Sequence, residues 1–164
     1  ASIGALAQLR SLGLHTNRIG NAGLAALATA LAGGALAQLA SLDLDSNQIG
    51  DAGAGALSNA CAEGALFRCH SLYLGGNQIG DAGAEKLVHV CCNGALAQLQ
   101  RLYLDNNRIG PAGLQAIADA HASGRAFANL RQLFIGDGLA QVDPAFAALR
   151  KPGGCIVFKR DAEL

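Results

Sequence analysis

The feature that most constrains this chain is a motif that returns every 30 residues. Four asparagines mark its register: Asn17, Asn47, Asn77 and Asn107. Around each stands a version of the skeleton L-x-x-L-x-L-x-x-N-x-I-G, such as LRSLGLHTNRIG in the first copy and LQRLYLDNNRIG in the fourth, with Cys69 in place of one leucine. A fifth copy starts at Leu130 and has Gly138 where the asparagine would fall. Such a fixed period predicts a stack of equivalent coils that share one continuous core.

Each copy contains the pattern of one strand and one helix. Leu12 and Leu14 alternate with small or polar residues, which predicts a short strand with every second side chain pointing inward. Leu24, Leu27 and Leu31 follow at spacings of three and four, which predicts one apolar face of a helix. The asparagine between these elements can satisfy backbone groups in a buried turn, so successive copies should form an amide ladder.

Helix boundaries are also marked in each copy. Asparagine or aspartate stands at the predicted N-cap of the first three helices: Asn21, Asp51 and Asp81. Pro111 takes this place in the fourth copy, which predicts a helix start shifted by one residue and without a side-chain cap. A glycine ends each helix: Gly34, Gly64, Gly94 and Gly124. The repeating unit is therefore expected to be a β-α coil.

These motifs resemble the leucine-rich repeat, in four near-complete copies held in fixed register. The period and the [N/D]-A-G-x-x-x-L helix start are similar to the long, helix-containing subtype of ribonuclease inhibitor, the Ran GTPase-activating proteins and the nucleotide-binding immune receptors. The resemblance implies an α/β fold, a right-handed leucine-rich-repeat solenoid with a parallel sheet on the concave face and helices on the convex face. It covers residues 1–138, as about four full repeats and a partial fifth.

The two ends of the chain differ in character. Aligning Gly4 with Gly34 places Ala1 near the end of a helix, so the chain is expected to start inside a repeat and to be the C-terminal part of a larger protein. Residues 139–164 are expected to form a terminal cap. Within them, Asp143 and Pro144 should open a short helix through Leu149, residues 152–154 should turn, and residues 155–158 should form an edge strand.

Composition excludes several classes of function. The chain carries 12 Lys+Arg against 12 Asp+Glu, whereas nucleic-acid and polybasic membrane binders carry a basic excess. No run is long and apolar enough to span a membrane. The five cysteines form no CxxC pair, which favours free thiols in a reducing, cytoplasmic compartment. Glycine-rich stretches lack the lysine of a phosphate-binding loop, so we expect no cofactor.

Candidate binding residues come from aligning the strands. The position between the two core leucines gives a row that contains both tyrosines of the chain followed by a phenylalanine, and such rigid aromatic area is typical of binding hot spots. Cross-strand stacking that only stabilises the sheet is the alternative. Charged residues of this row and of the neighbouring rows complete the candidate site, which comprises Tyr73, Tyr103, Phe134, Asp43, Asp45, Asp105, Arg101 and His15.

Catalytic and metal roles are less well supported by the same rows. His15 and Asp45 could hydrogen-bond, but no nucleophile completes a relay, so a surface ion pair is the simpler interpretation. The three aspartates are not expected to bind a metal, because Asp105 lies two repeats, about 10 Å, from the others. Cys61 and Cys91 replace an inward helix leucine and should be small core residues.

The leading hypothesis is a non-enzymatic module that binds a protein on its concave face, with no nucleic acid, membrane or metal partner. Two alternatives remain open. One is a regulator of an enzyme, similar to ribonuclease inhibitor or to the GTPase activators. The other is a purely structural repeat scaffold, either natural or engineered.

Overall fold

The computed structural model describes residues 6–135, 150–151 and 155–157. Strands and helices alternate through the repeats. The elements are β1 Ser11–Gly13, α1 Gly20–Ala32, β2 Ser41–Asp43, α2 Asp51–Ala62, β3 Ser71–Tyr73, α3 Asp81–Cys92, β4 Arg101–Tyr103, α4 Pro111–Ala122, β5 Gln132–Phe134, β6 Arg150–Lys151 and β7 Cys155–Val157. No helix within these residues is long and apolar enough to cross a membrane.

One sheet runs through the molecule in the order β1-β2-β3-β4-β5-β7-β6. The first five strands pair in parallel, and each leucine at the strand centre aligns with the leucine of the next repeat, as Leu42 does with Leu72. Helices α1 to α4 pack side by side, each against the next helix along the chain. The predicted α/β solenoid of stacked β-α coils is confirmed.

The core lies between the sheet and the helices. Leu42, Leu44, Ile49 and Leu57 of the second repeat are fully buried, whereas Asp43 between two of them is half-buried on the other side of the sheet. This alternation is the period of two that a strand imposes on its side chains. We call the sheet surface away from the helices the open face; it is the face that the family resemblance predicts to be concave.

Three cysteines belong to this core, as predicted. Cys61, Cys69 and Cys91 are at most 8 % exposed, and each is a free thiol. Burial raises the pKa of the Cys61 and Cys91 thiols to about 12 and that of the Cys69 thiol to about 11. These thiols are therefore neutral packing groups.

The predicted amide ladder is present and buried. Asn77 donates from Nδ2 to the carbonyls of Leu44, Leu74 and Gly75, and its Oδ1 accepts the backbone N–H groups of Asn47 and Ile49 at 2.9 and 3.0 Å. Carbonyls of two adjacent repeats are thus tied by one side chain. The ladder stabilises the stacking of coils as well as the turn itself.

Helix capping differs from the prediction. Asn21, Asp51 and Asp81 do not cap their own helices, whose N-cap residues are Ile19, Gly50 and Gly80 and supply no capping side chain. Each side chain instead caps the helix of the following repeat. For example, Asp51 Oδ1 accepts the N–H groups of Gly80 and Gly83 at 2.7 and 2.9 Å at the start of α3. The stacking of coils brings each residue closer to the next helix N-terminus than to its own.

The same contact explains the helix that begins with proline. The predicted shift of α4 is wrong, because α4 begins at Pro111 in the same register as α2 and α3. As predicted, α4 has no side-chain cap of its own. A cap comes instead from the preceding repeat, where Asp81 Oδ1 accepts the N–H groups of Gly110 and Gly113 at 2.6 and 3.0 Å. Proline lacks a backbone N–H, but at the first helical position that N–H has no partner within the helix, so no hydrogen bond is lost.

Glycine is required at the third position of these helices. A Cβ atom on Gly83 would lie 2.6 Å from Asp51 Oδ1 and 2.8 Å from Ile79 Cγ2. The D-A-G motif therefore encodes a contact between repeats: the acid reaches the next helix, and the glycine of that helix leaves room for it. The glycines predicted to end the helices have positive φ, such as 84° at Gly34.

Two short strands extend the sheet after the repeats. β7 pairs antiparallel with β5, and β6 pairs antiparallel with β7. A strand at residues 155–157 is thus found as predicted, but it is not at the edge, because β6 lies outside it. The predicted helix at 144–149, the turn at 152–154, the chain start at Ala1 and the glycine at 138 lie outside the described residues.

Candidate functional site

The aromatic side chains of the candidate site form one continuous stack on the open face. Tyr73, Tyr103 and Phe134 occupy paired positions of β3, β4 and β5. The rings of Tyr73 and Tyr103 have centroids 4.7 Å apart with a 34° tilt, and those of Tyr103 and Phe134 are stacked at 4.6 Å and 11°. All three residues are half-buried. We call these three residues the aromatic strip.

The strip stands on a rigid base. Leu72, Leu102 and Leu133 precede the three rings along their strands and point into the core, where each is at most 3 % exposed. Strands that alternate in this way fix the ring direction through the backbone. The ring spacing matches the strand separation of about 4.8 Å, so in-register parallel strands place the rings in contact.

A polar edge lies on one side of the strip. Arg101 is exposed and aligns with Gln132 of β5 at the preceding row of the sheet. The hydroxyl of Tyr103 donates to Oε1 of Gln132 at 3.3 Å. The strip is therefore bordered by a guanidinium and an amide that can form hydrogen bonds.

Carboxylates lie on the other side of the strip, closer together than expected. Asp45 Oδ1 accepts the N–H of Gly75 at 2.6 Å. A Cβ atom on Gly75 would be 3.3 Å from that oxygen and 3.0 Å from Asp105 Oδ1. The expected separation of about 10 Å describes the strands, whereas the two carboxylates converge over Gly75, which has no side chain.

Burial is the main cause that raises the pKa of the Asp45 carboxyl. The charges of Asp43 and Asp105 raise it further, while the Gly75 N–H and His15 act in the opposite direction. Asn106 donates to Asp105 Oδ2 at 2.8 Å. Within the described part of the chain, no group of three or more His, Cys, Asp or Glu residues is arranged to hold a metal ion.

The expected pairing of His15 with Asp45 is wrong. His15 Nδ1 lies 3.1 Å from Asp43 Oδ2, and the His15 side chain is 63 % exposed. Asp45 is turned toward Gly75 of the next repeat, which leaves Asp43 as the carboxylate near the imidazole. Such an exposed pair contributes little to stability. The ion pair itself is present, with a different partner.

One surface feature escaped the sequence analysis. A groove of about 470 Å³ opens just before the strands, and we call it the rim groove. Its lining residues are Arg10, Gln38, Ala40, Phe67, Arg68, His70 and Gln98. The signal for it is a departure from the repeat: residues 35–39 and 95–99 read ALAQL, whereas residues 65–69 read ALFRC.

Comparison with known families agrees with the fold. Residues 39–58, 70–88 and 98–118 match the family described as Leucine Rich repeat. No curated protein matches the chain. The matched segments coincide with the strand and the start of the helix in the second, third and fourth repeats. The fold is that of an α/β leucine-rich-repeat solenoid, and three of its repeats match the repeat family. Repeats of this family are generally non-enzymatic, and they suggest a protein–protein interaction module.

Proposed function

We propose that this chain is a non-enzymatic recognition module that binds a protein partner on its open face. The observation that supports this most strongly is the aromatic strip, in which three half-exposed rings stack across consecutive strands. Aromatic rings provide large contact area with few rotatable bonds, and they are enriched where binding energy concentrates. Rings that are already held in place lose little further freedom when a partner binds.

Charges around the strip would orient the partner. Asp43 lies in the row of the rings, beside Tyr73. Asp45 and Asp105 lie on one side of this row, and Arg101 lies on the other. Unlike charges on opposite sides of an apolar centre favour one binding direction over its reverse. We expect the partner to place basic groups near the three aspartates and an acceptor near Arg101.

Two finer assignments belong to this proposal. Helices of 12 or 13 residues within a 30-residue period support the long subtype that ribonuclease inhibitor and the immune receptors share. The cysteines with described side chains are all free, which favours a reducing, cytoplasmic compartment. In that case the module would act as the recognition part of a larger intracellular protein.

Site-specific photo-cross-linking tests where the partner binds. A benzophenone amino acid is placed at Tyr73 in the aromatic strip, or at the exposed Gln115 on α4 as the control, and each chain is irradiated in a lysate of the producing cells. We expect adducts from position 73 that disappear when unlabelled wild-type chain is added in excess. Competable adducts from position 115 but none from position 73 would contradict binding on the open face.

A further inference from the structure

The rim groove lies outside the aromatic strip and combines an apolar wall with cationic groups. Phe67 is 49 % exposed, which is unusual for so large an apolar side chain in this molecule. The guanidinium of Arg68 lies over the Phe67 ring, 5.3 Å from its centroid. Arg10 and His70 line the same groove from neighbouring coils. Cation–π contact orders the arginine without neutralising its charge.

The repeat itself does not require these two side chains. Alanine stands at the position of Phe67 in the neighbouring copies, at Ala37 and Ala97, and glutamine stands at that of Arg68, at Gln38 and Gln98. The neighbouring connections fold without a ring or a charge there. Exposing a phenylalanine to water brings no folding advantage, because its burial would be favourable. Phe67 and Arg68 are therefore additions to the surface rather than parts of the core.

The groove carries unbalanced positive charge. Two arginines line it next to His70, and no aspartate or glutamate appears among its lining residues. No carboxylate of the described residues forms an ion pair with Arg10 or Arg68. Gln38 and Gln98 add amide groups that can donate or accept hydrogen bonds. These groups complement an anionic ligand that also has an apolar part.

The floor of the groove is rigid and has the right length for a short peptide. The Arg10 carbonyl accepts the N–H groups of both Ala40 and Ser41, at 2.8 and 2.9 Å, and the Ala40 carbonyl likewise accepts those of His70 and Ser71. Positions 10, 40 and 70 thus form a row fixed by the backbone. Two steps of the sheet span about 10 Å, which an extended chain covers with about three residues.

We propose that the rim groove binds an extended peptide segment that carries carboxylates next to a large apolar side chain. The apolar side chain would pack on Phe67 and Ala40. The carboxylates would accept hydrogen bonds from the guanidinium groups of Arg10 and Arg68, a geometry that arginine favours. This surface is distinct from the aromatic strip, so its test does not depend on the function proposed above.

The test uses fluorescence anisotropy with a short fluorescein-labelled peptide of repeated Glu-Glu-Leu units at low salt. The key variant combines Phe67→Ala with Arg68→Gln, which restores the ALAQ sequence of the neighbouring copies and should leave the unfolding midpoint unchanged. The control variant is Arg108→Gln, which removes an exposed charge elsewhere on the chain. We expect about tenfold weaker binding for the double variant and wild-type binding for the control.

Two companion probes define the ligand class. A Gln-Gln-Leu peptide should bind at least about tenfold more weakly than the acidic one, since it lacks the charge that pairs with the arginines. A labelled single-stranded oligonucleotide should bind no better than this neutral peptide. Equal affinity of wild type and double variant, no binding of the acidic peptide, or preference for the oligonucleotide would overturn the proposal.

Discussion

The amide ladder allows a direct test, because the equivalent asparagines Asn77 and Asn17 differ in burial and in their hydrogen-bond partners. Asn77 is 6 % exposed and makes five hydrogen bonds with backbone groups of two repeats. Asn17 is exposed and donates only to the carbonyls of Leu14 and His15 of its own repeat. The substitution Asn77→Ala removes the acceptor of two buried N–H groups, those of Asn47 and Ile49.

The expected magnitude follows from these partners. An unsatisfied buried donor costs about 1–3 kcal/mol, so two of them should lower the free energy of unfolding by about 2–6 kcal/mol. In Asn17→Ala, the carbonyls that Asn17 contacts can accept hydrogen bonds from water instead. We therefore expect the free energy of unfolding to fall by less than about 1 kcal/mol.

Urea denaturation followed by circular dichroism measures both values, and amide hydrogen exchange checks their origin. In Asn77→Ala, the amides of Asn47 and Ile49 should lose protection first. Equal destabilisation by the two substitutions, or unchanged protection of the two amides, would refute the conclusion that the ladder joins adjacent coils.

Three further predictions concern contacts inside the repeats. Asp81→Ala removes the cap that this side chain supplies to α4, so urea denaturation should show a loss of about 1–2 kcal/mol. Gly83→Ala forces a Cβ to within 2.6 Å of a carboxylate oxygen and should cost about 2–3 kcal/mol, whereas Gly33→Ala, where the nearest atoms are 3.5 Å away, should change stability by less than about 0.5 kcal/mol. Similar losses of stability for Gly83→Ala and Gly33→Ala would contradict a clash between the new Cβ and the Asp51 carboxylate. Native Cys61 and Cys91 should resist alkylation by iodoacetamide at mildly alkaline pH, as read by peptide mass mapping, because burial raises the pKa of both thiols to about 12. When the chain is unfolded, the same thiols ionise near pH 9. Burying them as neutral groups therefore does not lower the free energy of unfolding below that pH, and this free energy should fall as the pH rises from 9 toward 12.

The repeat period predicted most of the fold because each coil is specified by local signals. Alternating leucines define the strands, the three-and-four spacing defines the helices, and the asparagine defines the turn. The capping residues were assigned to the wrong helix for a physical reason. A local rule places the carboxylate of Asp51 on its own helix, but stacking brings the start of the next helix within 2.7 Å. Only the geometry of packed coils decides between these two partners.

The candidate site was predictable to the extent that it follows from strand register. Placing Tyr73, Tyr103 and Phe134 in one row needs only the period and parallel pairing, and the rings are in contact as that row requires. Side-chain direction was less predictable, since His15 pairs with Asp43 while Asp45 turns to Gly75. The rim groove was missed because its lining comes from connections of several coils, outside the strand rows.

The central claim is that the aromatic strip serves binding rather than sheet packing. The most direct measurement is the affinity of the cross-linked partner for the chain carrying Tyr73→Ala and Tyr103→Ala, with unfolding by urea recorded on the same sample. We predict affinity at least about tenfold weaker, because hot-spot rings are lost. The free energy of unfolding should fall by only about 1–3 kcal/mol, which is the contribution of two ring pairs. Unchanged affinity in the double variant, together with that loss of stability, would contradict the account and assign the rings to packing.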